Sequence, residues 1–378
     1  MDVILFLPIG GDIDWIEKTS IFTRPGEWPI YGVSLREIIQ KEYDVAYLYN
    51  DMWLGVPELR SGVSVVERLD IDAIYISELI WGLPSEIYSL IDEVISLDNF
   101  VLKYGRMVVG WRGVGNEEID ISSYGLELID RPWKVITILK NKLSSLLIEL
   151  VNRFGFEKLE NNVYVRGESR ISDRAFIDAS EGMVVIEDGV VIEPFTYIKG
   201  PAYISRGSKL LGGKLSNCII GPTSKIGCEV DTSIIFGYSN AAHHGYIGHS
   251  AIGYWVNIGA GTVFSDLKNT YGMVRQWLSK DKREETGMIK LGSYIGDHVK
   301  TGVLTSIYGG SLIGWSSHVL HHASGYVPPL TILDGLRGET IDIKIEKAIE
   351  IAKRMYGRRG VRWLEMETQL WRRRAHQS

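Results

Sequence analysis

The sequence is poor in cysteine and lacks any long apolar run. Its two cysteines, Cys218 and Cys228, are too few for a disulfide framework or a zinc-ligand pattern. The N-terminal stretch MDVILFLPIGG combines a short apolar run with an early acidic residue, so it predicts a buried first strand rather than a signal peptide or a membrane span. Together these absences predict a cytoplasmic protein in a reducing compartment, with no membrane partner.

An excess of basic residues is also absent. The 378 residues include 41 lysines and arginines against 47 aspartates and glutamates, which gives a formal net charge of -6. Because nucleic-acid binding normally requires a basic surface, no nucleic-acid partner is predicted. The main basic cluster lies near the C-terminus, where a solvated helix face is the simplest explanation; its members are Arg354, Arg358, Arg359, Arg362 and Arg372 to Arg374.

What the sequence does contain is an aliphatic residue recurring at a six-residue spacing, first at Ile171 and Ile177 and then, after a longer step, at Ile186, Ile192, Ile198, Ile204 and Leu210. A period of six fits neither a helix nor a half-buried strand. It predicts a left-handed parallel β-helix of hexapeptide repeats over residues 163–330, in which three hexads form a triangular coil of about eighteen residues. Glycines would supply the positive φ that the corners need; the candidates are Gly207, Gly212, Gly221, Gly227, Gly248 and Gly253.

The regions outside the repeat follow other patterns. Residues 1–150 alternate short apolar strands with helical stretches, which predicts an α/β domain with a mostly parallel sheet; its strands are expected at Val3–Leu7, Val45–Tyr49 and Ala73–Ile76, and an amphipathic helix at Glu86–Leu97. A helix over Pro132–Phe154 is expected to connect the domains. Within residues 340–375 the apolar spacing predicts a C-terminal helix packed against the outside of the prism. The polar insertion 266–290 predicts a loop on the binding face.

A motif within the β-helix carries a resemblance to a known family. The segment SNAAHHGYIGHSAIGYWVNIGAGTVFSD contains His243, Tyr246 and Asn257, and Asn257 is followed by Ile-Gly-Ala-Gly-Thr. These residues and spacings resemble the acetyltransferase half of the bifunctional N-acetylglucosamine-1-phosphate uridyltransferase/glucosamine-1-phosphate acetyltransferases. The wider run from Gly227, with SDLKNTYG and EKAIEIAKRMYGRR, resembles a less studied group of sugar nucleotidyltransferase-like proteins of similar two-domain plan. The resemblance implies that residues 1–150 form a nucleotidyltransferase-like domain.

The resemblance also implies roles for individual residues. His243 would be the general base that takes a proton from the attacking amine, a task that suits an imidazole at neutral pH. The backbone N–H of Ala260 would stabilise the oxyanion formed from the thioester. Tyr246 and Asn257 would hydrogen-bond the sugar. The implied reaction is acetyl transfer from acetyl-CoA to an amino sugar phosphate or related sugar in nucleotide-sugar synthesis.

Coenzyme A and the assembly follow from the same resemblance. The matching positions for coenzyme A are the backbone at Val303 and, one turn later, His321. In related enzymes the acyl-CoA site is completed between subunits, and the flat faces of a triangular prism suit such packing, so a homotrimer is expected.

Two positions depart from the better-known enzymes. Asp231 stands where the family has a lysine that contacts the sugar phosphate, and a carboxylate there would repel a phosphate. Asp266 stands where the family has an asparagine near the amine, although a carboxylate can still accept a hydrogen bond from the substrate ammonium. Lys225 or Lys214 could supply the missing positive charge from a neighbouring coil. The identity of the acceptor sugar is therefore left open.

Other functions are also left open. His244 and His249 have the spacing of two metal ligands in β-helical carbonic anhydrases, but a third histidine should lie upstream and none precedes His243, so no metal is predicted. The alternative activity is sugar-1-phosphate nucleotidyl transfer by the N-terminal domain, with the β-helix as an oligomerisation scaffold.

That alternative would place a nucleotide at Gly10, Gly11 and Arg24, with Mg²⁺ as a cofactor only if the domain is active. The usual Gly-x-Gly-Thr-Arg phosphate loop is missing from this segment. A plain turn therefore explains Gly10 and Gly11 equally well. A scaffold without any catalytic activity is the third possibility.

Overall fold

The chain divides by its internal contacts into two compact units. This computed structural model describes strands 4–7, 45–48, 64–66 and 74–77, residue Lys18, and residues 80–113 and 117–377. Unit 1 comprises residues 1–13, 22–29 and 33–131, and unit 2 comprises residues 14–21, 30–32 and 132–378. Among the described residues, none of the helices combines the length and the apolar character needed to cross a bilayer.

The described strands of unit 1 are β1 (Ile4–Leu7), β2 (Val45–Leu48), β3 (Ser64–Val66), β4 (Ile74–Ser77), β5 (Ile80–Trp81), β6 (Phe100–Tyr104), β7 (Met107–Arg112), β8 (Glu117–Asp120) and β9 (Glu127–Leu128). Seven of them form one sheet in the order β3-β2-β1-β4-β7-β6-β8. β1 pairs parallel with β2 and β4, while β7 lies antiparallel to β4 and β6. The three strands expected in the first 80 residues are present as β1, β2 and β4, and β3 is an additional strand between β2 and β4 in the chain.

The helix predicted in unit 1 is also present, as α1 (Pro84–Ile95). Its apolar face is buried through Ile87, Ile91 and Val94, as the spacing of these residues requires. At its N-terminus the Glu86 carboxylate accepts a 2.7 Å hydrogen bond from the Leu83 N–H, which satisfies one of the backbone donors that a helix start leaves open.

Unit 2 contains a parallel β-helix whose strands form three ladders, named here face 1, face 2 and face 3. Face 1 consists of Arg170–Ile171, Val191–Ile192, Lys209–Leu210, Lys225–Ile226, Asn240–Ala241, Lys300–Thr301, His318–Leu320 and Thr331–Asp334. Single-residue bridges through Asn257 join its two halves.

Faces 2 and 3 share two long strands, Thr196–Ile204 and Gly213–Ile220, which turn from one face to the other. The other strands of face 2 are Phe176–Asp178, Glu229–Asp231, Tyr246–Gly248, Val263–Phe264, Ser306–Ile307 and His322–Ala323. The other strands of face 3 are Val163–Val165, Val184–Ile186, Ile234–Gly237, Ala251–Tyr254, Tyr294–Ile295, Leu312–Ile313 and Tyr326–Val327. Glu157–Glu160 and Glu339–Asp342 add antiparallel strands at the two ends.

The predicted six-residue spacing is confirmed as the source of the prism core. From Ile186 to Leu210 its members are fully buried in one cluster, and Ile171 and Ile177 pack against it. Both cysteines are free and buried in the same interior. Beyond Leu210 the turns become shorter than predicted, since Lys209 pairs with Lys225 and Lys225 with Asn240.

The corners of the prism differ from the prediction. Only Gly207 and Gly212 among the expected corner glycines have positive φ. At the corner between faces 3 and 1, one residue of each successive turn has a left-handed backbone conformation, and none of these residues is glycine. They are Thr223, Tyr238, Trp255, His298, Ser316 and Leu330. Gly221 is needed for a different reason, because a Cβ there would lie 1.9 Å from the Phe236 carbonyl oxygen of the next turn.

Three helices complete the described part of unit 2. α2 (Lys134–Arg153) buries the apolar face that the sequence predicts. The expected C-terminal helix is α3 (Ile345–Arg358), and a second helix that was not predicted, α4 (Glu365–Gln377), follows it. Tyr356 of α3 stacks on Trp255 with ring centroids 4.3 Å apart, so α3 is fixed to the corner between faces 3 and 1.

The polar insertion is more ordered than a simple loop. Within it Arg275–Trp277 and Arg283–Glu285 form an antiparallel pair, and a bridge between Leu267 and Lys290 closes its base. The buried Gln276 amide donates to the Gly310 carbonyl at 3.0 Å. This hydrogen bond attaches the insertion to the coil that follows it.

Candidate active site

Four of the residues that the sequence singles out lie on one edge of the prism, the turns between faces 1 and 2, named here the 1–2 corner. His243, Ala260, Val303 and His321 occupy successive turns of this corner. Backbone hydrogen bonds stack the turns directly: the Gly261 N–H donates to the His244 carbonyl, and the Leu304 N–H donates to the Ala260 carbonyl, both at 2.7 Å. His243 and His244 are exposed at the lower turn.

The Ala260 N–H lies between two N–H groups that are already used. The Gly259 N–H donates to Thr301 Oγ1 at 2.9 Å, and the Gly261 N–H donates to the His244 carbonyl. Within residues 80–113 and 117–377, the Ala260 N–H donates to no acceptor. Ala260 is half-exposed, so its N–H is a donor open to solvent or ligand on the turn above the exposed histidines.

Face 2 places Tyr246 beside the 1–2 corner. Its ring lies over Gly248, where a Cβ would come within 2.5 Å of the Tyr246 hydroxyl oxygen. The hydroxyl donates to Asp266 Oδ2 at 3.1 Å. Burial, followed by the charge and hydrogen bond of Asp266, raises the pKa of Tyr246, so this phenol stays protonated and acts as a donor.

Asp266 lies at the far end of face 2 and is engaged by protein groups. His249 Nδ1 lies 2.6 Å from Asp266 Oδ2, and both side chains are buried. Burial acts to raise the pKa of Asp266, but the hydrogen bond and charge of His249, with the Tyr246 hydroxyl, outweigh it and the net shift is downward. The carboxylate expected to receive a substrate ammonium is therefore an internal acceptor in the structure.

Asp231 lies one turn below His249, whose backbone N–H donates to the Asp231 carbonyl at 2.9 Å. The Asp231 carboxylate accepts a 2.9 Å hydrogen bond from Ser216. One ligand atom each from Asp231, His249 and Asp266 lies within 4.8 Å of the others, so this group could hold a metal ion. The His249–Asp266 hydrogen bond already satisfies two of the three. The sequence analysis missed this pairing because it considered His249 only as a possible metal ligand and Asp266 only as a substrate contact.

Face 1 carries Asn257 and Lys225 in a single outward column. Lys225 pairs with Asn240, Asn240 with Asn257, and Asn257 with Lys300. Burial lowers the pKa of Lys300 to about 8. In the next turn, burial and then the charge of Lys300 lower the pKa of His318 to about 4.

The structure thus brings together His243, Ala260, Val303 and His321, and places Tyr246 and Asn257 on the two adjoining faces. Lys214 is paired with Glu229 at 3.8 Å on face 2. The nucleotide-site residues Gly10, Gly11 and Arg24 lie outside the described residues.

Comparison with known proteins finds similarity between this chain and bifunctional enzymes. No family model matches the chain. A bifunctional sugar-1-phosphate nucleotidylyltransferase/acetyltransferase of Sulfurisphaera tokodaii is 30% identical over 209 residues, covering 52% of this chain and 45% of that protein. The bifunctional protein GlmU of Methanococcus maripaludis is 25% identical over 309 residues, covering 76% of this chain and 68% of that protein. The resemblance predicted from the His243 motif is confirmed by these relatives.

The chain spans about half the length of the curated relatives it matches at 30% identity. Among solved structures, an N-acyltransferase from Bacillus cereus in complex with dTDP and coenzyme A covers 56% of this chain and 96% of that chain, at 16% identity and a TM-score of 0.26. A likeness at that score carries no argument about this chain.

Proposed function

We propose that this protein is an acetyl-CoA-dependent acyltransferase that modifies the amino group of a sugar phosphate or related sugar in nucleotide-sugar synthesis. The observation that carries the proposal is the open Ala260 N–H on the turn stacked directly above His243 and His244. A base and an oxyanion donor on adjacent turns are the two groups that acyl transfer to an amine requires. The bifunctional relatives support the substrate class.

In the proposed reaction His243 accepts a proton from the substrate amine as the nitrogen attacks the thioester carbonyl. A carbon–nitrogen bond forms, and the carbonyl oxygen becomes an oxyanion that receives the Ala260 N–H. When the tetrahedral intermediate collapses, the carbon–sulfur bond breaks and coenzyme A leaves as a thiolate, which takes up a proton. Tyr246 and Asn257 orient the sugar by hydrogen bonds, and Asp266 holds the Tyr246 hydroxyl in place.

Coenzyme A is proposed to run along the upper 1–2 corner, past Val303 and His321. Apolar side chains are exposed there, with Val303 at 67% and Leu304 at 78% exposure. Exposed apolar patches of this kind are typical of ligand or subunit contacts. They support a homotrimer of left-handed β-helices in which a neighbouring subunit helps to cover the pantetheine arm. The cytoplasmic location stays a prediction.

A second activity, nucleotidyl transfer by the N-terminal unit, is proposed on a separate observation. The Methanococcus match extends over 76% of this chain, more than the β-helix alone occupies. Gly10, Gly11 and Arg24 would hold the nucleotide, with Mg²⁺ as the cofactor. Release of pyrophosphate from nucleoside triphosphates and sugar 1-phosphates, compared between the parent protein and Arg24→Ala, tests this activity.

The acetyltransferase proposal is tested by measuring acetyl-CoA consumption against a panel of amino sugars and their phosphates. His243→Ala is expected to keep the fold, because the side chain is exposed, and to lower kcat by about 10² to 10⁴, the usual contribution of a positioned base. His244→Ala is the matched control and should retain activity. If the parent protein acetylates no amino sugar, or if His243→Ala is fully active, the proposal is wrong.

A further inference from the structure

A cleft of about 130 Å³ lies between face 1 and the end of α3. Its walls bring together residues that are far apart in the chain, namely Lys225, Asn240 and Asn257 from face 1 and Arg358 and Arg359 from the end of α3. Buried Tyr238 and Trp255 also line it. The sequence reading assigned the two arginines to a solvated helix face, and the structure corrects that interpretation for Arg359, which is half-buried.

The cleft carries positive side chains that no neighbouring carboxylate in the described part of the chain neutralises. Among the described residues, no carboxylate forms an ion pair with Lys225, Arg358 or Arg359. The charge of Arg359, together with burial, lowers the pKa of Lys225. Burial and then the charge of Arg358 lower the pKa of Arg359. These like charges oppose one another, and a bound anion would relieve that opposition.

The geometry of the cleft is held from both sides. Stacking of Tyr356 on Trp255, and of Tyr238 on Trp255 at 4.5 Å, joins α3 to the prism. One guanidinium N–H of Arg359 donates to the Thr223 carbonyl at 3.0 Å, which fixes the arm of the side chain. Arg358 and Arg359 do complement the α3 C-terminus, but that role does not account for a lysine and two amides facing them from the prism.

We propose that this cleft is a binding pocket for a phosphate group, with Lys225, Arg358 and Arg359 as its charged donors and the Asn240 and Asn257 amides as its neutral donors. Lysine and arginine donors around one small cleft match the charge and the oxygen geometry of a phosphate. The proposal deepens the proposed function and rests on it for the source of the phosphate, which is either coenzyme A or the acceptor sugar phosphate.

Calorimetric titration with inorganic phosphate, without acetyl-CoA, tests the pocket directly. The parent protein should bind phosphate in the millimolar range or tighter, and binding should weaken with added salt. Lys225→Met and the double variant Arg358→Gln/Arg359→Gln should each weaken it by about ten- to a hundredfold, the effect of losing a charged hydrogen bond. Arg354→Gln is the matched control, because Arg354 lies on the same helix but pairs with Glu350.

Two further titrations identify the source of the phosphate. If Lys225→Met weakens coenzyme A more than 3′-dephospho-coenzyme A, the pocket holds a phosphate of the donor. If it weakens an amino sugar 1-phosphate more than the free amino sugar, the pocket holds the phosphate of the acceptor. Thermal unfolding of each variant checks that the fold is kept, and Lys225→Met leaves the Arg359 bond to Thr223 untouched.

The outcomes separate this inference from the proposed function. The pocket is overturned if no phosphate binding is detected at about 10 mM phosphate, even if acetyl transfer is active. It is also overturned if Arg354→Gln weakens phosphate binding as much as the pocket variants do. Phosphate binding that depends on Lys225 and Arg358, in a protein that acetylates no amino sugar, supports the pocket and overturns the acetyltransferase proposal.

Discussion

Replacement of His249 by alanine should destabilise the protein strongly. His249 and Asp266 are 5% and 7% exposed, and their side chains meet at 2.6 Å. In His249→Ala the Tyr246 hydroxyl is the one donor that the described residues leave to the ionised Asp266 carboxylate. Breaking a buried pair from one side costs about 3 to 5 kcal/mol because the remaining charge is left without compensation. Urea unfolding should show this loss in the free energy of unfolding.

Two companion variants isolate the cause. His249 has a φ of 44°, a conformation that asparagine tolerates well, and an asparagine amide can still donate to Asp266, so His249→Asn should be clearly milder. In the double variant His249→Ala/Asp266→Asn no charge remains to be stranded, and the combined loss should fall short of the sum of the singles by about 1 to 3 kcal/mol.

The reasoning fails if His249→Ala unfolds within about 0.5 kcal/mol of the parent, the range of an ordinary surface change. It also fails if the losses in the double variant simply add. Exposed His243→Ala serves as the reference, because its effect should appear in kcat and not in stability.

Three further expectations follow from single contacts. Burial and then the charge of Lys300 lower the pKa of His318 to about 4 from its usual 6.5, so the unfolded chain binds the proton first as pH falls between these values. Stability should therefore drop by about 1 to 2 kcal/mol after solvent screening, and His318→Asn should reduce that drop when unfolding is measured over this pH range. Tyr356→Ala should cost about 3 to 5 kcal/mol in chemical denaturation, because the fully buried ring stacks on Trp255; an unchanged midpoint would show that α3 docks by other contacts. Gly248→Ala should displace the Tyr246 ring and lower acetyl transfer, whereas Gly272→Ala, whose Cβ would meet nothing closer than 3.7 Å, should leave it unchanged.

The prism core could be predicted from the sequence because it depends on one repeating condition. Each face of each turn needs an inward aliphatic residue, and the regular spacing from Ile186 to Leu210 shows where these residues lie. The shorter turns after Leu210 could not be predicted in the same way. There the register is set by corner geometry, with Thr223 and Tyr238 in left-handed conformations that sequence patterns assign to glycine.

The candidate site was predictable only where it is local in the chain. His243, Tyr246 and Asn257 lie within one motif, so the resemblance of that motif to the bifunctional acetyltransferases could indicate them. The Lys225–Arg359 cleft depends on α3 returning to the prism, which follows from the stacking of Tyr356 on Trp255 and has no signature in either segment. The helix α4 was missed because EMETQLWRRRAHQ is mostly polar, although Trp371 is fully buried.

The position of the cleft gives Asp231 a physical context. On face 2 Glu229 and Asp231 lie on one strand, with Asp231 at the end of the face that also holds His249 and Asp266, while the outward column of face 1 is basic, with Lys225 and Lys300. The proposed acceptor, an amino sugar phosphate, carries an ammonium and a phosphate, so charge complementarity would direct its amine toward face 2 and its phosphate toward face 1. In that orientation a lysine at position 231 would repel the ammonium, and the aspartate attracts it. The aspartate at position 231, where the better-known acetyltransferases have a lysine, is therefore compatible with the phosphate pocket proposed on face 1.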